Sequence, residues 1–398
     1  MPLDILKDNA IIYVLIAWVV TILAAKALKL QNHGFELKPY SLVYKNSNVQ
    51  TTLTKILGRT RRGIKVFANV SVIAGFLMMG FAFWFLISNI YAYFIQPTGF
   101  NEVTVLIPGV TLTSSSAILN FLLSIPIVLV IHEGAHGIVA TLERIKIKTG
   151  GFAVFIAMFA GFVEPDEKEF DSAKKISKLR VIGAGATANV IFAFALGALL
   201  LTNPLFAIIL PEPIRGVFYE SPDGVMVLSI LEGFGAESAG ILVGDIIVEI
   251  NDVKVKNALD MQQIDLAPND TASVTIQREK EMISFEVDIM TSPDGERGLI
   301  GITRDNAAFK PVMDFIEWNN HGLSLFLLWL WMISFFIGII NMLPMPILDG
   351  GKFVQILLED KLSEKSLNVA MWAIYAFTFG LFGLNIALSY IKSGWFTI

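Results

Sequence analysis

The chain has 398 residues, of which 54% are hydrophobic and 16% are charged, and its mean hydropathy is +0.64. A soluble domain has about 45–50% apolar and about 25% charged residues, so this composition indicates several membrane spans. The formal net charge of −5 and the absence of a long basic block give no support to nucleic-acid binding. The absence of cysteine excludes thiolate zinc ligands, disulfides and a cysteine nucleophile.

Six apolar stretches are long enough to cross a bilayer, which takes about 20 helical residues. The first stretch has no clear small-residue cleavage site and is followed by Lys26 and Lys29. It is therefore predicted to be a retained span rather than a signal peptide. The predicted spans are 10–28, 67–95, 117–142, 180–203, 322–344 and 367–391.

The distribution of Lys and Arg predicts the orientation of these spans. The segments 26–65, 144–180 and 352–365 carry 9, 8 and 3 basic residues, whereas the short segments on the opposite side hold only Lys7 and Lys392. Basic loops stay on the cytoplasmic side of a membrane. We therefore expect a multi-pass protein of the cell membrane with an outside amino terminus and the three basic segments inside.

The third predicted span contains an HExxH motif, in which His132, Glu133 and His136 are the ionisable residues of an apolar helix. A helix advances about 100° per residue, so the two histidines project from one face, one turn apart. Two imidazoles at this spacing can bind zinc, and Glu133 beside them could hold a water. Ionisable groups at membrane depth are costly and usually mark function. The alternative is a polar pair that mediates helix packing.

Two segments between the spans have a different character. The Gly-rich run at 150–163 is too short to span and is predicted to form a re-entrant or interfacial strand pair, whose free backbone edges could hold an extended peptide. The region 215–305 alternates short β-type runs with turns and carries frequent charges. It is predicted to be a small, soluble, mostly-β domain on the outer side, between the fourth and fifth spans.

A hydrolytic zinc site needs a third protein ligand. Asp349 is well placed, because it lies in the segment Asn341–Gly351 after the fifth span, where two prolines break the helix and two glycines permit close backbone approach. Asp349 could instead be a helix N-cap. His33 in the first loop and His321 at the outer end of the fifth span are poorly placed for this site.

Taken together, these segments resemble the site-2 protease family of intramembrane zinc proteases. The resemblance rests on HEGAH, on the NxxPxPxLDGG pattern of Asn341–Gly351, on the small-residue stretch Gly183–Asn189, and on the likeness of 150–163 to the family's re-entrant β-hairpin. The stretch Ala239–Asn251 resembles part of a PDZ module. The resemblance covers roughly 115–395 and leaves out the first two spans.

The resemblance implies a residue set for catalysis. One Zn²⁺ per chain would be bound by His132, His136 and Asp349. Glu133 would act as general base and then as general acid.

Two asparagines are further candidates from the resemblance. Asn189 and Asn341 are candidates to bind the substrate strand or to stabilise the oxyanion. A structural hydrogen bond between helices is the alternative for Asn189. Some members of the family carry another asparagine where this chain has Phe336, so the role of that residue must be absent here or filled elsewhere.

The predicted fold class is an α-helical polytopic membrane protein with about six transmembrane helices, a re-entrant β-hairpin and an inserted, mostly-β PDZ-like domain. Four domains are predicted: two amino-terminal helices with a basic cytoplasmic loop, the first part of a catalytic membrane core, the PDZ-like domain, and the second part of the core. Their predicted bounds are 1–114, 115–210, 211–310 and 311–398.

The predicted function is that of an intramembrane zinc endopeptidase, which hydrolyses peptide bonds within transmembrane segments during regulated proteolysis. Its expected partners are membrane-protein substrates, with or without an earlier cut by another protease, the lipid bilayer, and a peptide or protein ligand of the PDZ-like domain. The alternative is a non-catalytic membrane adaptor that recruits partners through that domain. A transporter is disfavoured, because the chain shows no paired internal repeats.

Overall fold

The computed structural model consists of two compact units, Met1–Phe194 with Trp329–Ile398, and Ala195–Leu328. The second unit includes the predicted domain 211–310. The structure describes all residues except 1–15, 17, 97–98, 109, 156–157, 221–223, 258–259, 262, 279–280, 292–297, 305–308, 314, 317, 319 and 394–398.

Among the described residues, five helices are long and apolar enough to cross a membrane. They correspond to five of the six predicted spans. The other predicted span, 10–28, is represented by a shorter apolar helix, and its first residues lie outside the described part of the chain. The helices are α1 (Trp18–Ala27), α2 (Val49–Ile95), α3 (Ser115–Leu142), α4 (Glu167–Ser172), α5 (Lys175–Leu200), α6 (Glu212–Phe218), α7 (Gly235–Ala239), α8 (His321–Ile340), α9 (Asp349–Leu358) and α10 (Glu364–Ser393).

The predicted basic loop at 26–65 is largely regular structure, which corrects the sequence-based prediction. Helix α2 has 47 residues and begins well before the apolar run, with a local departure from helical geometry at Thr60. Leu53 and Leu57 are buried on one side of this extension. The helix is therefore amphipathic here, and its exposed Lys and Arg residues hide it from a search for continuous hydropathy.

The strand pair predicted at 150–163 is present and belongs to a larger sheet. Its four strands are antiparallel neighbours in chain order. The first two come from the supposed loop, so the sequence analysis missed half of the sheet. Whether the hairpin re-enters a membrane stays a prediction. The strands are β1 (Phe35–Lys38), β2 (Ser41–Asn46), β3 (Ile147–Phe155) and β4 (Met158–Pro165).

Two ion pairs connect the start of α5 to neighbouring helices in the first unit. Arg180 donates to Glu143, the residue after α3, at 2.9 Å. Lys178 donates to Glu359, the residue after α9, at 3.0 Å. All four side chains are at least partly buried. These contacts hold together the three helices that carry HEGAH, Asn189 and Asp349.

The second unit contains a mostly-β domain, as predicted. Its main sheet has the order β12-β5-β6-β8-β9, with β7 paired to β6, around a core of Val and Ile side chains. Arg278 donates two hydrogen bonds to the buried Asp245, which raise the pKa of the guanidinium above its usual value. The strands are β5 (Val225–Ile230), β6 (Ile246–Ile250), β7 (Val253–Lys254), β8 (Thr271–Arg278), β9 (Glu281–Asp288), β10 (Met290–Thr291), β11 (Gly298–Leu299) and β12 (Ile302–Arg304).

The β2–β3 pairing leaves no room for a side chain at Gly151, where a β-carbon would overlap the carbonyl oxygen of Tyr44. We expect Gly151→Ala to destabilise the protein by about 1–3 kcal/mol, the usual cost of overpacking. The measurement is thermal unfolding of the purified full-length chain in detergent. Gly150→Ala is the control, because its β-carbon would come no closer than 3.2 Å to any atom, the nearest being a methyl group of Val49. Equal melting temperatures for the two variants would contradict the β2–β3 register.

Candidate metal centre

Three potential metal ligands meet in the first unit, and they are the three that the sequence predicts. His132 and His136 lie one turn apart on α3, and Asp349 is the first residue of α9. The two Nε2 atoms are 3.1 Å apart, and each is 3.1 Å from Asp349 Oδ2. Within the described chain, no other group of three His, Cys, Asp or Glu side chains converges in this way.

The spacing of the three atoms fits a tetrahedral ion. Zinc bonds of about 2.0–2.2 Å to nitrogen and oxygen place tetrahedral ligand atoms about 3.3 Å apart, close to the observed 3.1 Å. The side chains of His132, His136 and Asp349 are only 7%, 13% and 18% exposed. Lone pairs directed at one another in so dry a place would repel without a cation, so the donor set suits zinc.

A second contact fixes the tautomer of His136. Its Nδ1 lies 2.7 Å from the carbonyl oxygen of Val181 on α5. A carbonyl can only accept, so Nδ1 carries the ring proton and donates it. Nε2 therefore keeps its lone pair toward His132 and Asp349, which is the form that a metal ligand requires.

Gly185 on α5 lies closely against the two histidines. A β-carbon at this position would overlap His136 Nε2 and would lie 2.7 Å from His132 Nε2. The sequence analysis recognised the Gly183–Asn189 stretch but did not assign its glycines a function. Gly183 allows close packing, since its β-carbon would lie 2.6 Å from the Ser71 carbonyl oxygen. Gly185 instead leaves space where the metal would bind.

Asp349 does not act as the helix N-cap that was the alternative prediction. The N-cap position of α9 is Leu348, and Asp349 directs its carboxylate to the two histidines. The helix begins this abruptly because the backbone of the LDGG segment is packed against the preceding turn. A β-carbon at Gly351 would overlap the carbonyl oxygen of Met345.

Asn341 supports this turn through its backbone. Its carbonyl oxygen accepts a hydrogen bond of 2.7 Å from the Gly350 N–H. The predicted role of the Asn341 side chain in binding substrate stays a prediction. Phe336, at the position where some relatives carry asparagine, is 46% exposed.

Glu133 faces the strand pair rather than solvent alone. Its Oε2 accepts a hydrogen bond of 2.9 Å from the backbone N–H of Val163 on β4. A β-carbon at Gly161 would lie 2.8 Å from Glu133 Cγ. The glutamate next to the metal ligands is thus held against one strand of the hairpin.

Of the remaining candidates, Asn189 is buried beside His132, whereas His33 is exposed. Asn189 is fully buried, and its Nδ2 lies 3.2 Å from His132 Nδ1. Its predicted role toward substrate stays a prediction. His33 ends an exposed 3₁₀ turn, Leu30–His33, and is not part of the metal-ligand group.

The profile of Peptidase family M50 matches residues 120–381, more than half of the chain, and the chain therefore belongs to this family. This confirms the recognition of a site-2 protease from the HEGAH and LDGG segments. The family is one of peptidases, and one relative is named as a zinc metalloprotease.

Two relatives illustrate the range of similarity. A Rickettsia conorii protein named “Putative zinc metalloprotease RC0203” is 24% identical over 319 residues, which cover 61% of this chain and 88% of that protein. The uncharacterized protein MJ0971 of Methanocaldococcus jannaschii is 26% identical over 270 residues, 66% of this chain. The chain spans 61% of that relative's length.

Solved PDZ domains are similar to about a fifth of the chain. The PDZ domain of an SdrC-like protein from Listeria monocytogenes is 24% identical, with a TM-score of 0.19, and covers 21% of this chain and 87% of that domain. The corresponding domain from Listeria innocua is 28% identical, with a TM-score of 0.19, and covers 21% and 93%.

The position of Gly185 makes metal binding testable without changing a ligand. We expect Gly185→Ala to lower the zinc content from about one ion per chain to near zero, because the methyl group would occupy the space in front of the two Nε2 atoms. The measurement is elemental analysis of the purified protein. Gly134→Ala, within HEGAH itself, is the control, since its β-carbon would meet nothing within 4 Å. Normal zinc content in Gly185→Ala would place the metal elsewhere.

Proposed function

We propose that the protein is an intramembrane zinc endopeptidase that cleaves transmembrane segments of membrane proteins. The observation that carries the proposal is the triangle of ligand atoms on α3 and α9, formed on a helix apolar enough to cross a membrane. Metal ligands at that depth are costly unless they serve a function. Membership of a peptidase family supports hydrolysis of peptide bonds as that function.

The residues divide the chemistry between them. Zinc, when bound by His132, His136 and Asp349, supplies Lewis acidity toward a peptide carbonyl and toward water. Glu133 is anchored through Oε2 to the Val163 N–H, so its other oxygen can take a proton from the attacking water. The same oxygen then gives the proton to the leaving amide nitrogen.

The outer edge of β4 is the proposed binding site for the substrate backbone. Because Val163 donates its N–H to Glu133, it does not donate to Gly150, its partner on β3. Narrow and wide pairs alternate along an antiparallel ladder. The N–H and C=O groups of Phe159, Gly161 and Val163 therefore all point away from β3.

This edge suits an extended peptide rather than a helix. β4 is an edge strand of the described sheet, whereas the other edge of β3 is paired with β2 from Gly150 to Val154. A transmembrane helix keeps its carbonyls in i to i−4 hydrogen bonds. It must unwind before cleavage, and strand addition to β4 would hold the unwound segment beside Glu133.

The setting of this activity is also a proposal. The Lys and Arg distribution favours a cell-membrane protein whose metal site lies toward the cytoplasm and whose PDZ-like domain lies outside. In that arrangement the protease would act in regulated intramembrane proteolysis. The PDZ-like domain would bind a peptide or a protein segment.

Replacement of the base separates catalysis from metal binding. We expect Glu133→Gln to keep its zinc and to lose about 10²–10⁴-fold in cleavage rate, the usual contribution of a general base. The measurement is turnover of a transmembrane substrate by protein reconstituted in lipid, with zinc content determined on the same sample. Glu164→Gln on β4 is the matched control, because Glu164 only accepts a hydrogen bond from Thr149 at the surface. A wild-type protein that binds peptides but neither zinc nor substrate helices would instead support the adaptor.

If the substrate pairs with the outer edge of β4, the backbone N–H of Phe159 should contribute to substrate binding. We expect Phe159→Pro to reduce cleavage of a transmembrane substrate about tenfold or more, because it removes one outward N–H, roughly one hydrogen bond of 0.5–1.5 kcal/mol, and distorts its neighbours. Phe159→Ala removes the same side chain, keeps the N–H and is the control. The measurement is kcat/KM at equal zinc content. Equal values for the two variants would exclude pairing at this position.

A further inference from the structure

Asn189 contains a buried polar atom without a partner. The residue is fully buried on α5, and no donor lies within hydrogen-bonding distance of its Oδ1. Its other amide atom, Nδ2, lies 3.2 Å from His132 Nδ1. Native proteins seldom leave a buried polar atom unpaired, so this arrangement needs a physical explanation.

The backbone of Asn189 is held by contacts with α8. Ser334 on α8 donates a hydrogen bond of 2.9 Å to the Asn189 backbone carbonyl. Close by, a β-carbon at Gly338 would lie 3.3 Å from Asn189 Cβ. The backbone of Asn189 is therefore held against α8, and from this position its amide reaches His132.

The metal ligand role of His132 determines which amide atom should face the ring. If Nε2 holds the metal, the proton of the neutral imidazole must lie on Nδ1, which then needs an acceptor. The Nδ2 group of Asn189 is itself a donor, so two donors would face each other. A half-turn of the amide exchanges Oδ1 and Nδ2 with almost no change in shape. It brings Oδ1 to His132 and removes it from a place that no donor reaches.

We infer that Asn189 is a positioning residue for the metal centre: its Oδ1 accepts the Nδ1–H of His132 and thereby fixes the tautomer and the orientation of that ligand. The inference rests on the proposed zinc site. The two histidines would then differ in the group that orients the ring, since His136 is held by the backbone carbonyl of Val181. His132 alone depends on a side chain for the same purpose.

Two other roles for Asn189 make different predictions. A residue that binds substrate or the oxyanion would change cleavage and leave zinc affinity unchanged. If Asn189 only connects helices, its replacement by an apolar side chain of similar size would change the stability of the protein and leave zinc affinity unchanged. If Asn189 is a positioning residue, its replacement by an apolar side chain must change zinc affinity. An aspartate at the same position must preserve zinc affinity, because a carboxylate is a strong acceptor for Nδ1–H.

The test compares Asn189→Leu, Asn189→Asp and Thr187→Val in the purified full-length protein. Thr187 is the control, because it is buried on the same helix and donates only to the Gly183 carbonyl. Zinc affinity is measured by competition with a chelator, and the melting temperature is measured on the zinc-free protein. We expect Asn189→Leu to bind zinc about 10–100-fold more weakly, the usual effect of losing an outer partner. Asn189→Asp should bind zinc at least as tightly as the wild type, and Thr187→Val should bind it equally.

Each result decides the inference. Wild-type zinc affinity in Asn189→Leu overturns it, as does an Asn189→Asp variant whose affinity falls as far as that of Asn189→Leu. If Asn189→Leu does not fold, the comparison of Asn189→Asp with Thr187→Val still decides, because a weaker Asp variant contradicts the inference. A wild-type protein that binds no zinc overturns the proposed function and this inference with it. Normal wild-type affinity with insensitive variants overturns this inference alone.

Discussion

The convergence of three lone pairs between helices is the constraint on which the rest of the first unit depends. Two imidazole nitrogens and a carboxylate oxygen lie 3.1 Å from one another in a place with little access to water. Such groups repel unless a cation lies among them. α3, α5 and α9 must approach closely enough for them to meet, which explains glycine at 185, 350 and 351, where a β-carbon would overlap a ligand or a backbone carbonyl.

The glutamate of the motif couples this centre to the sheet. One carboxylate oxygen of Glu133 accepts a hydrogen bond from the Val163 N–H. The position of Glu133, the proposed base, therefore depends on the position of β4. The same strand exposes the N–H and C=O groups proposed to hold the substrate. One strand can thus set both the distance of the proposed base from the three converging side chains and the register of the proposed substrate peptide.

The sequence was sufficient to predict which three side chains converge, and insufficient to predict what surrounds them. HEGAH is local, since the helical repeat alone places His132 and His136 on one face. Asp349 could be predicted because prolines and glycines around it indicate a break in the helix. The contacts of Gly185 and Asn189 with the histidines depend on tertiary packing between helices distant in sequence, which no local pattern records. The amino-terminal strands were missed for the same reason.

Those amino-terminal strands extend the sheet of the family core beyond the residues that match the family. The match to Peptidase family M50 begins at residue 120, yet β2, at 41–46, pairs with β3 from Leu42 to Asn46. A hairpin of β3 and β4 alone would offer two unpaired edges, and unpaired edges accept any extended chain. With β2 in place, the edge of β3 is covered, and the edge strands of the described sheet are β1 and β4. Of these two, β4 is the strand that contacts Glu133. Residues outside the family match therefore cover the far edge of the hairpin and leave open the edge beside Glu133, where we propose that the substrate binds.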